Sequence, residues 1–468
     1  MNSMIGYAIG LFATKGLALM MLPVMANHLS SRELGELELY ATIATFFALL
    51  IGIALHEALY RFVAGIESQS KRHKLASQLA TINQSVAVGW VVLLLTITQL
   101  LGWNSPALTL VFIGLAIDAP LAIHLTWLRM QERVKAFVLC CVLTALLQAS
   151  LVMIALINQW GVTGVLAASV VAHFIQYLVL QMLNRFRWQL PLMSSAQEFF
   201  GYTSPLMGAS LLAFGLNGAE RWLIASTTSL EVLGQFAIAA KFALAMCILV
   251  QPFGMWWMPK RFTALKQQGV SAVARTTQIG VVWIVLLTLA IAGSGQLFIL
   301  HFLPSEYHPA TDLLVICLAM AMSKEISELT NIGILANKQT TILLKINLVA
   351  MIGGLGLATL LSPLGIEAIL LSLLTAQLGR TLAITTFSQR ICLIPYAKWS
   401  ILGLIGVAYL GLIAFYLADS SAQLITVAFA ALSMVIGLST AMNLLPMTFS
   451  AHLTKRLSTS KRALGRGV

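Results

Sequence analysis

Charged side chains are scarce in this sequence. They make up 9% of its 468 residues, whereas apolar residues make up 59%. An ordinary soluble domain carries about 25% charged residues, and the mean hydropathy of +0.90 is too high for a chain that folds in water. These proportions exclude an ordinary soluble enzyme and indicate a protein that is solvated mainly by lipid.

Long polar segments are also lacking, because the connectors between apolar runs reach about twenty residues at most. Each run is long enough to cross roughly 30 Å of hydrocarbon as a helix. The runs show no alternation of polar and apolar residues, which argues against a transmembrane β-barrel. The sequence therefore predicts an all-α polytopic membrane protein with about fourteen transmembrane helices. The predicted spans are 4–26, 37–57, 78–101, 106–128, 136–157, 162–183, 199–224, 232–256, 277–300, 312–335, 340–361, 365–387, 399–418 and 421–445.

Motifs for metal, cofactor or nucleotide chemistry are missing as well. The five cysteines lie in or beside apolar runs without the spacing of metal ligands or of a disulfide framework. No glycine-rich phosphate loop ending in Lys-Ser or Lys-Thr occurs, which excludes an ATPase in this chain. We expect no metal, no cofactor and no enzymatic activity. A membrane-embedded polymerase or ligase is disfavoured because it would need a large loop outside the membrane.

Basic residues are present mainly in alternate connectors. Cytoplasmic loops retain Lys and Arg, so these connectors, and with them both chain termini, are predicted to be cytoplasmic. The opposite connectors hold Arg32 as their single basic residue. The net charge of +12 needs no nucleic acid to explain it, since the basic residues are scattered over separate loops without stacking aromatics. The basic connectors contain Arg61, Lys71, Arg72, Lys74, Arg129, Arg133, Lys135, Arg185, Arg187, Lys260, Arg261, Lys266, Arg275, Lys338, Arg390 and Lys398.

A short motif recurs in the two halves of the chain. Gly35 and Gly234 each follow a leucine near the start of an apolar run and are 199 residues apart, and Arg61 and Arg261 are 200 apart. The alternative is that Leu-Gly recurs by chance in a leucine-rich chain. An offset of six spans predicts a parallel repeat, that is, two six-helix lobes related by a pseudo-twofold axis along the membrane normal. The predicted parts are an N-terminal lobe 1–190, a C-terminal lobe 191–390, two additional helices in 391–450 and a basic cytoplasmic tail 451–468.

Several short motifs follow one another in an order that is typical of one family of transporters. They are Leu22-Pro23, Asn27-His28-Leu29, Glu220-Arg221, Leu233-Gly234-Gln235-Phe236, Ala239-Ala240-Lys241 and Phe302-Leu303-Pro304-Ser305-Glu306-Tyr307. In this order and spacing the chain resembles the multidrug/oligosaccharidyl-lipid/polysaccharide exporter superfamily, and within it the O-antigen (Wzx-type) polysaccharide flippases. Two mild departures are Glu220, where Asp is commoner, and Phe236, where Tyr is commoner.

The resemblance implies a flippase of the bacterial cytoplasmic (inner) membrane. Its substrate would be an undecaprenyl-pyrophosphate-linked anionic oligosaccharide, moved to the periplasmic leaflet by alternating access of two lobes. The implied partners are this lipid-linked oligosaccharide, membrane lipids, a polysaccharide polymerase and a chain-length regulator, and the protein is expected to be a monomer. A lipid II flippase and a MATE-like drug/cation antiporter remain alternatives. The antiporter would need an acidic cavity, whereas this chain has lysines in the middle of its spans.

Ionisable residues inside the spans are the candidate site, because each costs about 2.5–3.5 kcal/mol at a helix centre and must face a cavity or a partner. Lysine suits the transient binding of a pyrophosphate, since it is a flexible point charge. Lys15 and Lys241 lie on helices that, by the resemblance, line the central cavity. The candidate substrate-binding cations are Lys15, Lys241, Lys324, Arg221 and Arg380, and the candidate coupling or ion-pair residues are Asp118, Glu220, Glu325 and Glu328.

Most of these candidates could instead serve the structure. Lys15 could form a buried pair with Asp118, which precedes a proline and could instead couple transport to protons or sodium. Lys324 and Glu328 are four residues apart and could neutralise each other on one helix. Glu220 and Arg221 could form a salt bridge. Arg380 lies near the end of its helix, where its side chain could snorkel to the membrane surface.

Overall fold

The computed structural model describes residues 3–63, 66–103, 105–190, 193–258, 260–337, 339–442 and residue 444. These residues form helices joined by short turns, and they contain no β-strand. The predicted all-α class is confirmed. The chain forms two compact units, Met1–Ala237 and Ile238–Val468, which are described one after the other.

The first unit contains nine helices within its described residues and the start of a tenth. Its helices are α1 Ser3–His28, α2 Ser31–Gly52, α3 Leu55–Ala58, α4 Gln69–Leu100, α5 Pro106–Met130, α6 Val134–Ile157, α7 Gly161–Asn184, α8 Met193–Asn217 and α9 Glu220–Thr227, followed by the first turns of α10 Leu230–Trp257. A π-helical turn, Leu59–Val63, follows α3.

The second unit holds the remainder of α10 and eight further helices among its described residues. They are α11 Arg261–Gln267, α12 Val270–Phe302, α13 Ala310–Thr330, α14 Ile332–Ala336, α15 Thr340–Leu361, α16 Ile366–Ile391, α17 Lys398–Tyr416 and α18 Ser421–Ala441. Short 3-10 turns, Ser305–Tyr307 and Ser362–Leu364, precede α13 and α16.

Among the described residues, fewer helices are long and apolar enough to cross a membrane than the sequence predicts. Within the described residues, eleven helices are long and apolar enough to cross a membrane, or twelve if α8 and α9 count as one bent span. Predicted span 312–335 corresponds to α13 and α14, and α13 carries Lys324, Glu325 and Glu328, which lower its hydropathy. The multi-pass architecture is confirmed, whereas the count of fourteen is not.

Three predicted spans are interrupted where the sequence suggested continuous helices. The span 37–57 is broken by Ile53 and Ala54, whose φ angles of 43° and 49° are left-handed. The span 199–224 bends by 44° between α8 and α9. The span 312–335 ends one helix and starts another at Asn331. Hydropathy indicates how long an apolar run is, but it does not indicate where the backbone of the helix breaks.

The first turns of α2 and α10 contact each other through the repeated Leu-Gly motif. A Cβ atom on Gly35 would overlap the carbonyl oxygen of Leu230, and one on Gly234 would overlap the carbonyl oxygen of Ser31. Only glycine allows two helix backbones to approach this closely. Because 31 and 230, like 35 and 234, are 199 residues apart, each motif makes the same contact with the other. We name the contact of 31–35 with 230–234 the glycine seam.

The ends of these two helices repeat the same local chemistry. The Ser30 hydroxyl accepts a hydrogen bond from the Glu33 N–H at 3.3 Å, and the Ser229 hydroxyl accepts one from the Val232 N–H at 3.3 Å. Serine is a favoured N-cap because its oxygen satisfies a free N–H of the first turn. Arg32 lies 3.8 Å from Glu231, its counterpart in the repeat. Both seam helices thus begin with the same cap.

Candidate functional site

Lys15 lies half-buried in the middle of α1. The neighbouring Gly10 packs against Val138 of α6, and a Cβ atom there would lie 3.1 Å from a Val138 methyl. In the described part of the chain no ion pair joins Lys15 to Asp118. The alternative in which these two side chains neutralise each other therefore has no support in the structure.

Asp118 has a different partner. Its carboxylate Oδ1 lies 2.7 Å from Nδ1 of His173, so that α5 and α7 are joined by a hydrogen bond. This bond becomes an ion pair when the imidazole is protonated. Neither side chain is fully buried, with exposed fractions of 44% for Asp118 and 31% for His173. The two residues are 55 positions apart, and no sequence pattern indicated that they would meet.

Arg221 is held between two carboxylates within the first unit. Its Nε donates to Glu38 Oε1 and its Nη1 to Glu220 Oε1, both at 2.6 Å. Its guanidinium also lies 5.6 Å from the centre of the Phe236 ring. The Arg221 guanidinium is thus occupied by carboxyl groups of the protein itself. This geometry favours the salt-bridge alternative for Glu220-Arg221 over contact with an anionic substrate. The sequence did not indicate that Glu38, on α2, would pair with Arg221.

Two candidate lysines lie in the second unit. Lys241 is half-buried on α10, and Lys324 is half-buried on α13. Beside Lys324, the Glu325 carboxyl group lies within hydrogen-bonding reach of the Cys247 thiol on α10. Cys247 is one of the five cysteines that lie in or beside apolar runs, and the sequence did not indicate its contact with Glu325.

Arg380 forms the centre of a polar network inside the second unit. Its Nε donates to Asn347 Oδ1 at 2.7 Å, its Nη1 to Ser327 Oγ at 3.0 Å and its Nη2 to Glu328 Oε1 at 3.3 Å. The Arg380 side chain is 9% exposed, so it does not snorkel to the membrane surface. Within the described residues Glu328 pairs with Arg380 on α16 and not with Lys324 on its own helix.

A second arginine completes this network. Arg261 Nη1 donates to the Glu328 carbonyl at 3.3 Å and to Asn331 Oδ1 at 3.0 Å, while Asn331 Nδ2 donates to Glu328 Oε2 at 3.1 Å. Burial lowers the pKa of Arg261, and the Glu328 carboxylate opposes that shift. The sequence identified Arg261 as a basic connector residue and as the counterpart of Arg61 in the repeat. The structure places it at a junction of α11 and α13.

Removal of Arg380 should destabilise the second unit. Arg380→Met leaves the Glu328 carboxylate without its guanidinium, and because that carboxylate is 41% exposed we expect a loss of about 1.5–3 kcal/mol. Adding Glu328→Gln should restore most of the stability, because the unpaired charge is then gone. The measurement is thermal unfolding of the detergent-purified protein.

The control for this prediction is Arg390→Met. Arg390 is exposed on the same helix, α16, and its replacement should change the melting temperature little. A double variant as unstable as Arg380→Met alone would show that the guanidinium, through Asn347 and Ser327, is what the fold requires.

The described residues contain no group of three or more His, Cys, Asp or Glu side chains that could hold a metal ion. Their chemistry consists of ion pairs and hydrogen bonds between apolar helices, together with lysines at the middle of three helices. This combination defines a class: a polytopic α-helical membrane protein with charged groups inside its helical units.

Comparison with solved structures shows a likeness of fold. The lipid II flippase MurJ, in an inward closed conformation, is 12% identical, with a TM-score of 0.71 over 94% of this chain and 100% of that chain. A MATE family multidrug resistance transporter and a MOP superfamily transporter from Pyrococcus furiosus each give a TM-score of 0.47, with 12% identity over 83% of this chain and 95% of theirs. At these identities the comparison with MurJ shows the fold alone.

Comparison with protein families identifies the chain. Residues 2–262 match the family described as polysaccharide biosynthesis protein, which is more than half of the sequence. The chain belongs to this family, and the resemblance drawn from its motifs is confirmed. No curated protein gives a significant match to the sequence.

Proposed function

We propose that this protein is a flippase for an undecaprenyl-pyrophosphate-linked oligosaccharide, the repeat unit of an O-antigen or another surface polysaccharide. Membership of the polysaccharide biosynthesis family carries this proposal. The MurJ-like fold over 94% of the chain supports it, because the related protein is named as a flippase of a lipid-linked substrate. Transport would proceed by alternating access.

The charges inside the helices support an anionic substrate. Two of the mid-helix carboxylates are bound within the protein, Asp118 to His173 and Glu328 to Arg380. Lys15 has no carboxylate partner within the described residues, so it is available to a pyrophosphate. A drug/cation antiporter would need carboxylates that are available to a cation. We assign Lys15, Lys241 and Lys324 as counter-charges for the pyrophosphate.

A lipid II flippase is the second candidate, and the fold similarity to MurJ is the observation that favours it. Both substrates carry a pyrophosphate on a polyprenyl chain, so the same lysines would serve either. The candidates differ in the sugar part, which no motif of this sequence specifies.

The proposed architecture is two six-helix lobes, 1–190 and 191–390, followed by two helices in 391–450. The reciprocal contacts of the glycine seam support a local twofold relation between the repeats. The segregated loop charges support an inner-membrane location with both termini cytoplasmic. A polymerase and a chain-length regulator would act on the product, and the protein is proposed to be a monomer.

Deletion of the gene tests the function. The deletion strain should lose its surface polysaccharide and accumulate lipid-linked repeat units on the cytoplasmic side, and a plasmid copy should restore display. Rescue of a strain depleted of its lipid II flippase would favour the second candidate instead. Normal surface polysaccharide with altered drug resistance would contradict both proposals and support an antiporter.

A further inference from the structure

A polar cavity of about 640 Å³ lies inside the first unit, where the start of α4 meets the end of α7. Its wall includes Ser70, His73 and Lys74 of α4, together with Asn184, Arg185 and Arg187. None of these residues belongs to the candidate substrate site. The cavity therefore needs an explanation of its own.

The charge of the cavity has one sign. Lys74, Arg185 and Arg187 all line it and are exposed. Asp and Glu are absent from the described residues that form its wall. This differs from the surroundings of Arg221 and Arg380, where carboxylates neutralise the guanidinium groups. An anion with several oxygens, such as a phosphate, matches three cations that line one cavity.

The segment that carries the two arginines is fixed to α4. The Arg187 N–H donates to Ser77 Oγ at 3.3 Å, and the Gln189 N–H donates to Thr81 Oγ1 at 3.0 Å. Between the arginines, the buried Phe186 ring packs 5.9 Å from the Trp127 ring, measured between centres. Arg185 itself is the left-handed C-cap of α7, with φ 51° and ψ 41°. The backbone of the segment that carries both arginines is therefore fixed beside the cavity.

Asn184 anchors the end of α7 at the cavity. Its side chain is 4% exposed and lines the cavity. Its Nδ2 donates to the His124 carbonyl on α5 at 3.2 Å, and its backbone oxygen accepts from His73 Nε2 on α4 at 2.8 Å. These two bonds tie the end of α7 to α5 and α4 and so fix this wall of the cavity.

The residues next to the cavity indicate that its ligand comes from the membrane. Trp188 and Leu190 follow the arginines in the chain, and each is 68% exposed. Tryptophan is enriched at the membrane–water interface. The loop charges predict that this end of the unit is cytoplasmic, and basic pockets on that side of a membrane bind anionic head groups. A soluble phosphate would share the anion chemistry but would not account for these exposed apolar side chains.

We propose that this cavity binds the head group of an anionic glycerophospholipid of the cytoplasmic leaflet, such as phosphatidylglycerol. Lys74, Arg185 and Arg187 hold its phosphate. The site is separate from the proposed flippase activity, and its test needs no transport measurement.

Native mass spectrometry of the purified full-length protein tests the proposal, with phosphatidylglycerol and phosphatidylcholine added as probes. Arg185→Gln with Arg187→Gln should weaken phosphatidylglycerol binding about tenfold or more, because each basic residue near an anionic surface is worth about fivefold in affinity. The matched control is Arg133→Gln with Lys135→Gln. These residues are exposed in the preceding basic connector, and the control removes the same charge without altering the cavity.

A second variant tests the same site without the risk that the protein misfolds. Ser70→Glu places a carboxylate at the cavity in the first turn of α4, where acidic residues stabilise a helix. It should weaken phosphatidylglycerol binding and leave the melting temperature unchanged. Equal phosphatidylglycerol binding by the wild type and by both cavity variants would overturn the proposal. So would equal binding of phosphatidylcholine. Displacement of the lipid by millimolar inorganic phosphate would overturn the lipid assignment and identify a soluble phosphate ligand.

Discussion

Replacing Lys241 or Lys15 by alanine is expected to abolish display of the surface polysaccharide while the protein remains in the membrane at normal abundance. Hydrogen bonds to charged groups contribute about 1.5–3 kcal/mol, so loss of one ammonium should reduce transport by about 10- to 100-fold. Both lysines are half-buried on apolar helices, where a cation without a function would be selected against by its insertion cost.

The arginine variants and one exposed control variant separate the effect of the charge from an effect on the fold. Lys15→Arg and Lys241→Arg should keep part of the transport, because the charge persists with altered geometry. Lys266→Ala, at an exposed position of α11, should behave as the wild type. Complementation of the deletion strain, with immunoblots of the membrane fraction, measures both quantities.

A different result would reassign Lys15. If Lys15→Ala lowered the abundance of the protein and Asp118→Asn in the same chain restored it, Lys15 would be a structural partner of Asp118. The 2.7 Å contact of Asp118 with His173 argues for the opposite outcome, in which the double variant stays inactive.

Gly35→Ala should strongly destabilise the protein. Its Cβ would overlap the Leu230 carbonyl oxygen, and a backbone atom inside a helix cannot rotate away as a side chain can. We expect the first turns of α2 and α10 to separate, at a cost of about 3 kcal/mol or more. Gly234→Ala should do the same, since the contact is reciprocal.

Gly52→Ala is the control for this prediction. Gly52 is at the end of the same helix, α2, and a Cβ atom there would meet no other atom within 4 Å. The melting temperature of the three purified variants provides the measurement. A Gly35→Ala protein that melts with the wild type would show that these two helices do not approach each other so closely in the membrane.

The sequence predicted the helical class and the repeated Leu-Gly motif because both depend on local composition. Apolar runs of sufficient length form helices in lipid, because each backbone N–H and C=O group must find its hydrogen-bond partner within the segment. The serine caps at Ser30 and Ser229 also depend on local sequence, because the residues that form each cap are neighbours in the chain. They were not predicted from the sequence.

The partners of the charged side chains could not be predicted in this way. Arg221 meets Glu38 across 183 residues, and Arg380 meets Glu328 across 52. Such pairs depend on the rotation and depth of each helix, and a helix that is apolar on all sides gives no periodic signal for its rotation. For Lys324 the nearest carboxylate in the sequence suggested a pair with Glu328. The structure instead offers Glu328 an arginine from another helix.

The glycine seam also constrains the order in which the protein can be assembled. Residues 31–35 can meet residues 230–234 only after the ribosome has made residues 36–229, which separate the two motifs. Contacts between residues so distant in the chain form late. Helix α2 is therefore inserted before α10, its partner in the seam, has been synthesised. The end of α2 that the loop charges predict to be periplasmic therefore stays unpaired while α3 to α9 are being inserted. A nascent chain halted before Leu230 would expose that end to membrane-embedded chaperones and proteases.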